Sequence, residues 1–359
     1  MNKKYSELAE LFRSEKTDEE ILDFLLNYHK NDIADMMAGM TEEERKRLYH
    51  LLGAQKVAEI FKYIEEPRKY IRELSVESAA RVISEMDSDD AVDLLEDLDP
   101  EEKEQIVRML DEDAKKDVKM LLSYDEEEIG SCMTTNYICI PENLTIRQAM
   151  SELVKQAGEN DNIMTIYVVD EKGVFAGAID LKDLIRAREN THLKDLVLKS
   201  YPYVTDHEKI DDCMDRILDY AEDSIPVLSE DKKILGVITS EDLIEMVDNE
   251  MGEDYAKLAG LTAEEDLKEP TLQSMKKRLP WLIILLFLGM AVSSVVGLFE
   301  NVVAVLPIVI CFQSLVLDMA GNVGTQSLAV TIRVLMDENL TGKQKFQLVV
   351  KEVKTGSLN

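Results

Sequence analysis

Three sets of residues in this 359-residue chain have types and spacings that could do chemistry. The first is Asp87, Asp89, Asp90, Asp93, Glu96 and Asp97, in which Asp90, Asp93 and Asp97 share one helical face at three- and four-residue spacing. The second is Asp242, Glu245, Asp248, Glu250, Glu253 and Asp254, six acids within thirteen residues. Asp242 lies with Glu245, and Glu250 with Glu253 and Asp254, on common helix faces. Acids so placed repel one another and weaken a helix unless something positive neutralises them. The third set, Asp318, Gly321, Asn322, Gly324, Thr325 and Gln326, sits in strongly apolar sequence. Small residues let helices approach and bare the backbone, and amides supply oxygens at bilayer depth. Each set also has a plainer use. The first two serve as solvated acidic faces, and the third serves as a stripe for helix packing.

The elements that carry these sets follow from the distribution of charge. The net charge of -31 excludes an ordinary nucleic-acid binder, which needs a basic face. The apolar share of 45% argues against a wholly disordered chain. Residues 1–130 and 131–270 each carry a net charge of -17, whereas 271–359 carry +3. The last part is the apolar one. Leu279 to Phe299 is 21 residues without a formal charge, the length of one bilayer crossing, with Trp281 at an interface position. Its place in the chain reads as a span rather than a signal peptide. Asn301 to Leu317 and Met319 to Ile332 form a second apolar run, interrupted by Asp318. Lys276, Lys277 and Arg278 precede the first span, and Arg333, Lys343 and Lys345 follow the second. Both flanks therefore read as cytoplasmic, with a turn near Glu300 and Asn301 on the far side. The expectation is a multi-pass plasma-membrane protein whose acidic N-terminal parts lie in the cytoplasm. Cys132, Cys139, Cys213 and Cys311 show no metal-ligand spacing and fit a reducing compartment.

Two internal repeats organise the acidic parts. Asp32–Leu52 aligns without gaps to Asp90–Leu110, each copy reading as two helices joined at a cap, Thr41 with Glu44 or Asp99 with Glu102. Stacked helix pairs of this kind build a superhelix. Ile166–Ile185 aligns to Ile225–Ile244 at a constant offset of 59, with eight of twenty positions identical. Each copy reads as strand, turn, glycine-containing strand (Gly177 or Gly236) and helix, with a further helix before it near Ile146–Gln156 or Ile210–Tyr220. The order β-α-β-β-α, twice over, is the pattern of a CBS pair.

An acidic helical repeat, the segment YDEEEIGSCMT leading into a CBS pair, and then PWLIILLFLGMAVSSVVGLFE and LDMAGNVGTQSLAVTIRVL together resemble the MgtE family of magnesium channels. The resemblance covers almost the whole chain in the right order. It implies an all-α superhelical N-terminal domain over 1–130 and tandem CBS domains over 131–247 (about 131–190 and 197–247). A connecting plug helix over 248–270 and a transmembrane hairpin beginning a channel domain over 271–359 would follow. The family has five transmembrane helices with its principal pore carboxylate on the last, so the chain reads as part of a longer protein that lacks three of them.

The resemblance also implies roles. Glu250, Glu253 and Asp254 match plug-region acids that bind magnesium, and the region around Asp90, Asp93 and Asp97 is bridged to the CBS pair by magnesium ions. Gly321, Asn322 and Thr325 fall where the family's second helix lines the pore. Asp219, Glu222 and Asp223 cluster near a further magnesium-binding region. CBS pairs also hold adenine nucleotides, with the ribose on an Asp at a helix start. Thr239 and Asp242 fit that pattern, Asp180 and Asp183 less well, so ATP joins Mg2+ as an expected ligand. No Walker-type loop is present, and His29, His50, His192 and His207 are scattered, so no enzyme is expected. The implied protein is a homodimeric magnesium channel with a cytosolic magnesium sensor that closes it. The alternatives are a membrane-anchored nucleotide-sensing module, or a transporter of another divalent cation such as cobalt or manganese.

Overall fold

The computed structural model describes residues 12–13, 17–64, 66–158, 160–188, 191–258, 260–261, 270–299, 307–337 and 341–358. It divides into two units, one ending at Leu243 and one beginning at Ile244.

The first unit opens with helices α1 (Asp18–Leu25), α2 (Lys30–Ala38), α3 (Glu42–Phe61), α4 (Pro67–Ile71), α5 (Val76–Ser84), α6 (Ser88–Glu96), α7 (Pro100–Met109) and α8 (Glu112–Leu121). The apolar stripe of each helix is too narrow to close a core alone. The helices therefore stack, α3 on α5, α5 on α7 and α6 on α8, around Leu48, Phe61, Ile83 and Leu95, all of them buried. The repeat is visible in the helices themselves, α2–α3 matching α6–α7. Where α7 ends at Leu110 and α8 begins, the first copy runs on through Gly53, whose φ of 77° kinks α3 in place of a break.

Thr41 caps α3 as expected, with its N–H donating to Glu44 Oε2 at 2.8 Å and Glu44 N–H donating to Thr41 Oγ1 at 3.3 Å. Asp99 does not cap α7 in the same way. It holds the N-cap position, but its carboxylate accepts from Arg68 at 3.1 Å and from Arg72, and Glu102 also accepts from Arg72, at 2.7 Å. Two guanidinium groups on and after α4 outbid the backbone donors for it.

The CBS pair follows as β1 (Ile138–Pro141), α9 (Ile146–Gln156), β2 (Thr165–Val169), β3 (Phe175–Asp180) and α10 (Leu181–Arg186). It continues with β4 (Val204–Thr205), α11 (Ile210–Leu218), β5 (Ser224–Leu228), β6 (Ile234–Thr239) and α12 (Ser240–Leu258). Each copy makes a three-stranded sheet, its first strand parallel to the second and the second antiparallel to the third. The chain entering each copy bridges to the sheet of the other. Thr134 pairs with Val237, and Leu198 with Ala178. A Cβ at Gly236 would sit 2.7 Å from Thr134 O and one at Gly177 2.5 Å from Leu198 O, so the repeated glycine exists to admit the crossing strand.

In the second unit, α13 (Thr271–Leu298) is exposed along its length and is, among the described residues, the one helix long and apolar enough to cross a membrane. The second apolar run forms α14 (Pro307–Asp337), against which α15 (Gly342–Leu358) packs. The turn expected at Glu300 and Asn301 lies outside the described residues, as do 262–269 of the expected plug. The described part of that plug is not a separate helix starting at Asp248, because α12 is continuous from Ser240 to Leu258.

Candidate functional site: an acidic interface between the helical repeat and the CBS pair

Helix α6 begins at the boundary with the CBS pair, and that boundary is stitched by the segment preceding β1. Thr135 N–H donates to the buried Ser88 Oγ at 2.9 Å, and Thr135 Oγ1 donates to Asp117 Oδ2 at 2.8 Å. Asn136 Nδ2 donates to Asp87 Oδ1 at 2.8 Å, while Asn136 Oδ1 accepts from Asp161 N–H at 2.9 Å. These bonds hold the first turn of α6 against the segment that leads into the CBS pair.

Acids from both sides meet there. Asp87, Asp89 and Asp90 come from the start of α6, and Glu241 and Asp242 from the first turn of α12. Lys62, the C-cap residue of α3, reaches across with Nζ 3.1 Å from Glu241 Oε2 and 3.7 Å from Asp87 Oδ2. Asp242 is locked by a capping box, its Oδ2 accepting from Thr239 N–H at 2.7 Å and from Thr239 Oγ1 at 2.8 Å. Asp89 Oδ1 is buried and accepts no hydrogen bond.

The electrostatic result is a set of carboxyl groups that disfavour one another's ionisation, with Lys62 opposing. Burial lifts the Asp90 carboxyl to about 7, with Asp87, Asp242 and Asp93 adding to the rise and Lys62 opposing it. Burial, then Asp242, Asp90 and Asp87, hold Asp89 well above the usual carboxylate range. Asp242 is raised too, first by burial, against the opposing hydrogen bonds of Thr239. Burial beside these acids pushes the Cys132 thiol up to about 11.

A cleft of about 400 Å³ opens beside this meeting point, lined by Glu59, Lys62, Asp87, Asp90, Asp161 and Glu241 among others. Lys30 pairs with Glu59 on its wall at 2.9 Å. Among the described residues, no three carboxylate, imidazole or thiol side chains converge on one point. The set therefore does not form a bare-ion cage. It suits a cation that keeps its waters and touches carboxylates through them, as magnesium does.

Of the residues expected to bind a cation, Asp90 and Asp242 are thus brought together from distant parts of the chain. Asp93 is exposed on α6 yet near enough to act on Asp90 and Cys132, and Asp97 is exposed at the end of α6. Glu245 and Asp248 are exposed on α12, and the side chains of Glu250, Glu253 and Asp254 lie outside the described residues. Sequence reasoning passed over Glu241, Asp161, Glu59 and Lys62. Glu241 was discoverable as the neighbour of Asp242, whereas Lys62 carries no local signal.

A smaller acidic meeting occurs elsewhere on the CBS pair. Burial and the neighbouring Asp180 and Asp223 raise Glu222, while Asp219 is exposed. On α14, Asp318, Gly321, Asn322 and Thr325 fall on one face at three- and four-residue spacing, with Gly324 and Gln326 to its sides. Thr325 Oγ1 donates to Gly321 O at 3.1 Å. Nothing among the described residues lies within 4 Å of a Cβ built at Gly321 or Gly324.

The chain thus joins a domain of stacked helices to a CBS pair through an acidic interface, and carries, among the described residues, one helix long and apolar enough to cross a membrane. Residues 28–127 match the MgtE intracellular N domain, and residues 127–190 and 193–249 match the CBS domain. The magnesium transporter MgtE of Enterococcus faecalis (strain ATCC 700802 / V583) is 38% identical over 99% of this chain and 79% of its own length. The magnesium transporter MgtE of Bacillus subtilis (strain 168) is 31% identical over 65% of this chain and 52% of its own length, so the matched part is about half of that relative. The chain belongs to the MgtE family. In structure it is similar to the soluble part of a magnesium transporter, with TM-score 0.65 and 30% identity over 69% of this chain and 98% of that one. It is also similar to the cytosolic domain of the Mg2+ channel MgtE in complex with ATP, with TM-score 0.60 and 26% identity over 67% and 99%.

Proposed function

We propose that this chain carries the cytosolic magnesium sensor and the beginning of the pore of a magnesium transporter. The observation that supports this most is the meeting of Asp89 and Asp90 with Asp242 across the boundary between the helical repeat and the CBS pair. Ions entering there bind the closed interface better than the open one and so shift the population towards it, while without them the acids repel and the interface loosens. The acidic row on α12, Glu245, Asp248, Glu250, Glu253 and Asp254, acts in the same sense, with the segment 248–270 as the plug. Asp318, Gly321, Asn322, Gly324, Thr325 and Gln326 line the ion path, on a second membrane crossing formed by α14. The working unit is a homodimer in the plasma membrane with its acidic parts in the cytoplasm, and it carries out no covalent chemistry.

ATP is a second ligand of the CBS pair in this reading, supported by the similarity to an ATP-bound relative. Thr239 and Asp242 would hold its ribose. Because Asp242 also faces Asp89, nucleotide and magnesium compete for one carboxylate. The test is limited proteolysis of the chain in detergent across a magnesium titration, with and without ATP. Protection that rises through the millimolar range supports the sensor, and an unchanging pattern rejects it.

A further inference from the structure

The acidic interface contains a cation of its own. Lys62 ends helix α3, where the carbonyl end of the helix favours a positive charge. Its ammonium lies 3.7 Å from Asp87, on the helical-repeat side, and 3.1 Å from Glu241, on the CBS side. The Lys62 side chain is only 30% exposed, so it is held in the cleft rather than reaching over it. Asp87 is further fixed by Asn136, which keeps the carboxylate turned into the cleft beside the ammonium. One positive charge thus faces Asp87, Asp90, Glu241 and Asp242. It links the two sides but leaves most of their charge uncancelled.

We infer that Lys62 is a tethered competitor of the magnesium ion and sets the concentration at which the sensor closes. With no divalent ion present, the Lys62 bridge keeps the helical repeat and the CBS pair in contact, so the open state is loosened without being separated. A divalent ion entering between Asp90 and Asp242 meets the ammonium as a like charge and must displace it or share its acids. The lysine therefore weakens magnesium binding, which raises the midpoint of the response, while its support of the ion-free contact offsets only part of that rise. A fixed cation of this kind gives a threshold in place of a tight site, which is what a sensor of an abundant ion requires.

This inference rests on the sensor reading above, and the experiment separates the two. The intact chain in detergent is digested with proteinase K across a magnesium chloride titration, for the wild type, Lys62→Gln and Lys62→Arg. Lys62→Gln should move the midpoint of protection to a magnesium concentration roughly three- to tenfold lower and make the ion-free protein more readily cut. Lys62→Arg, which keeps the charge, should stay within about twofold of the wild type. Circular dichroism melting in saturating magnesium identifies a variant that has not folded, in which case Glu241→Gln, which removes the lysine's CBS-side partner, takes its place and must make the ion-free chain easier to cut. A wild type that responds while Lys62→Gln keeps or raises its midpoint overturns the role of Lys62. A wild type that does not respond at all overturns the sensor reading and this inference with it.

Discussion

Asn136 holds Asp87: its side-chain amide donates to the Asp87 carboxylate at 2.8 Å while its own carbonyl accepts from the backbone of Asp161 at 2.9 Å. A neutral amide therefore orients one acid of the interface without cancelling its charge. Asn136→Asp would replace a donor with a second carboxylate. The expected loss is about 1–2 kcal/mol of stability in urea denaturation without magnesium, from the lost bond and the new repulsion. Part of that loss should return at saturating magnesium, and a loss that magnesium does not reduce would place Asn136 outside the ion's reach.

The magnesium response should depend on pH. Asp90 is raised by burial to about 7, well above its unfolded value. The stability it contributes is therefore complete below about pH 3.9 and is lost as the pH rises through about 7, when the buried carboxylate ionises. The ion-free interface should tighten as the pH falls from 8 to 6. Magnesium, which takes the ionised form, should bind more weakly over the same fall and release protons as it binds. Midpoints at pH 6, 7 and 8 in weakly buffered solution measure both, and a constant midpoint with no proton release contradicts the assignment.

The pairing of Arg45 with Glu73 is structural and should behave so. Arg45 is 6% exposed, donates through Nε to Glu73 at 2.8 Å and through Nη1 to the carbonyl of Met37 at 3.3 Å, and Tyr49 OH donates to the same carboxylate at 3.2 Å. Arg45→Met would leave Glu73, a mostly buried carboxylate, with the Tyr49 phenol as its remaining partner among the described residues. A cost of about 3–5 kcal/mol is expected in chemical denaturation, whether or not magnesium is present. Loss of the magnesium response without loss of stability would show that the pair is not merely structural.

The repeated glycine of the CBS pair gives a further test. A Cβ at Gly236 would meet Thr134 O at 2.7 Å and the Met133 side chain at 2.9 Å. Thr134 and Val237 exchange backbone hydrogen bonds at 2.9 and 2.8 Å, so the crossing strand cannot easily retreat. Gly236→Val should cost about 1–3 kcal/mol and reduce the yield of folded protein. A variant as stable as the wild type would mean that the bridge is dispensable.

Much of the architecture was legible because it is written locally. Helical stacking and the CBS order follow from apolar periodicity and from two repeats, and Thr41 caps α3 because its partner Glu44 lies in the same turn. What failed was decided by residues brought in from elsewhere. Asp99 has the sequence of a cap, yet Arg68 and Arg72 claim it. Spacing placed Asp90, Asp93 and Asp97 on one face, but only folding could show that Asp90 is the one turned toward Asp242, with Asp97 left exposed. Glu241 and Lys62 belong to the site through a contact between α3 and α12 that no short-range pattern encodes.

The capping box at the start of α12 has a consequence for mutational tolerance. The Asp242 carboxylate that faces the α6 acids also closes the first turn of a helix running to Leu258. Asn there would keep the cap and lose the charge, while Glu, the residue that closes the Thr41 box at Glu44, would keep both. Position 242 should therefore accept fewer residues than exposed Glu245 or Asp248, where only charge is at stake. The Asn substitution separates helix initiation from ion attraction, functions that the native side chain performs together.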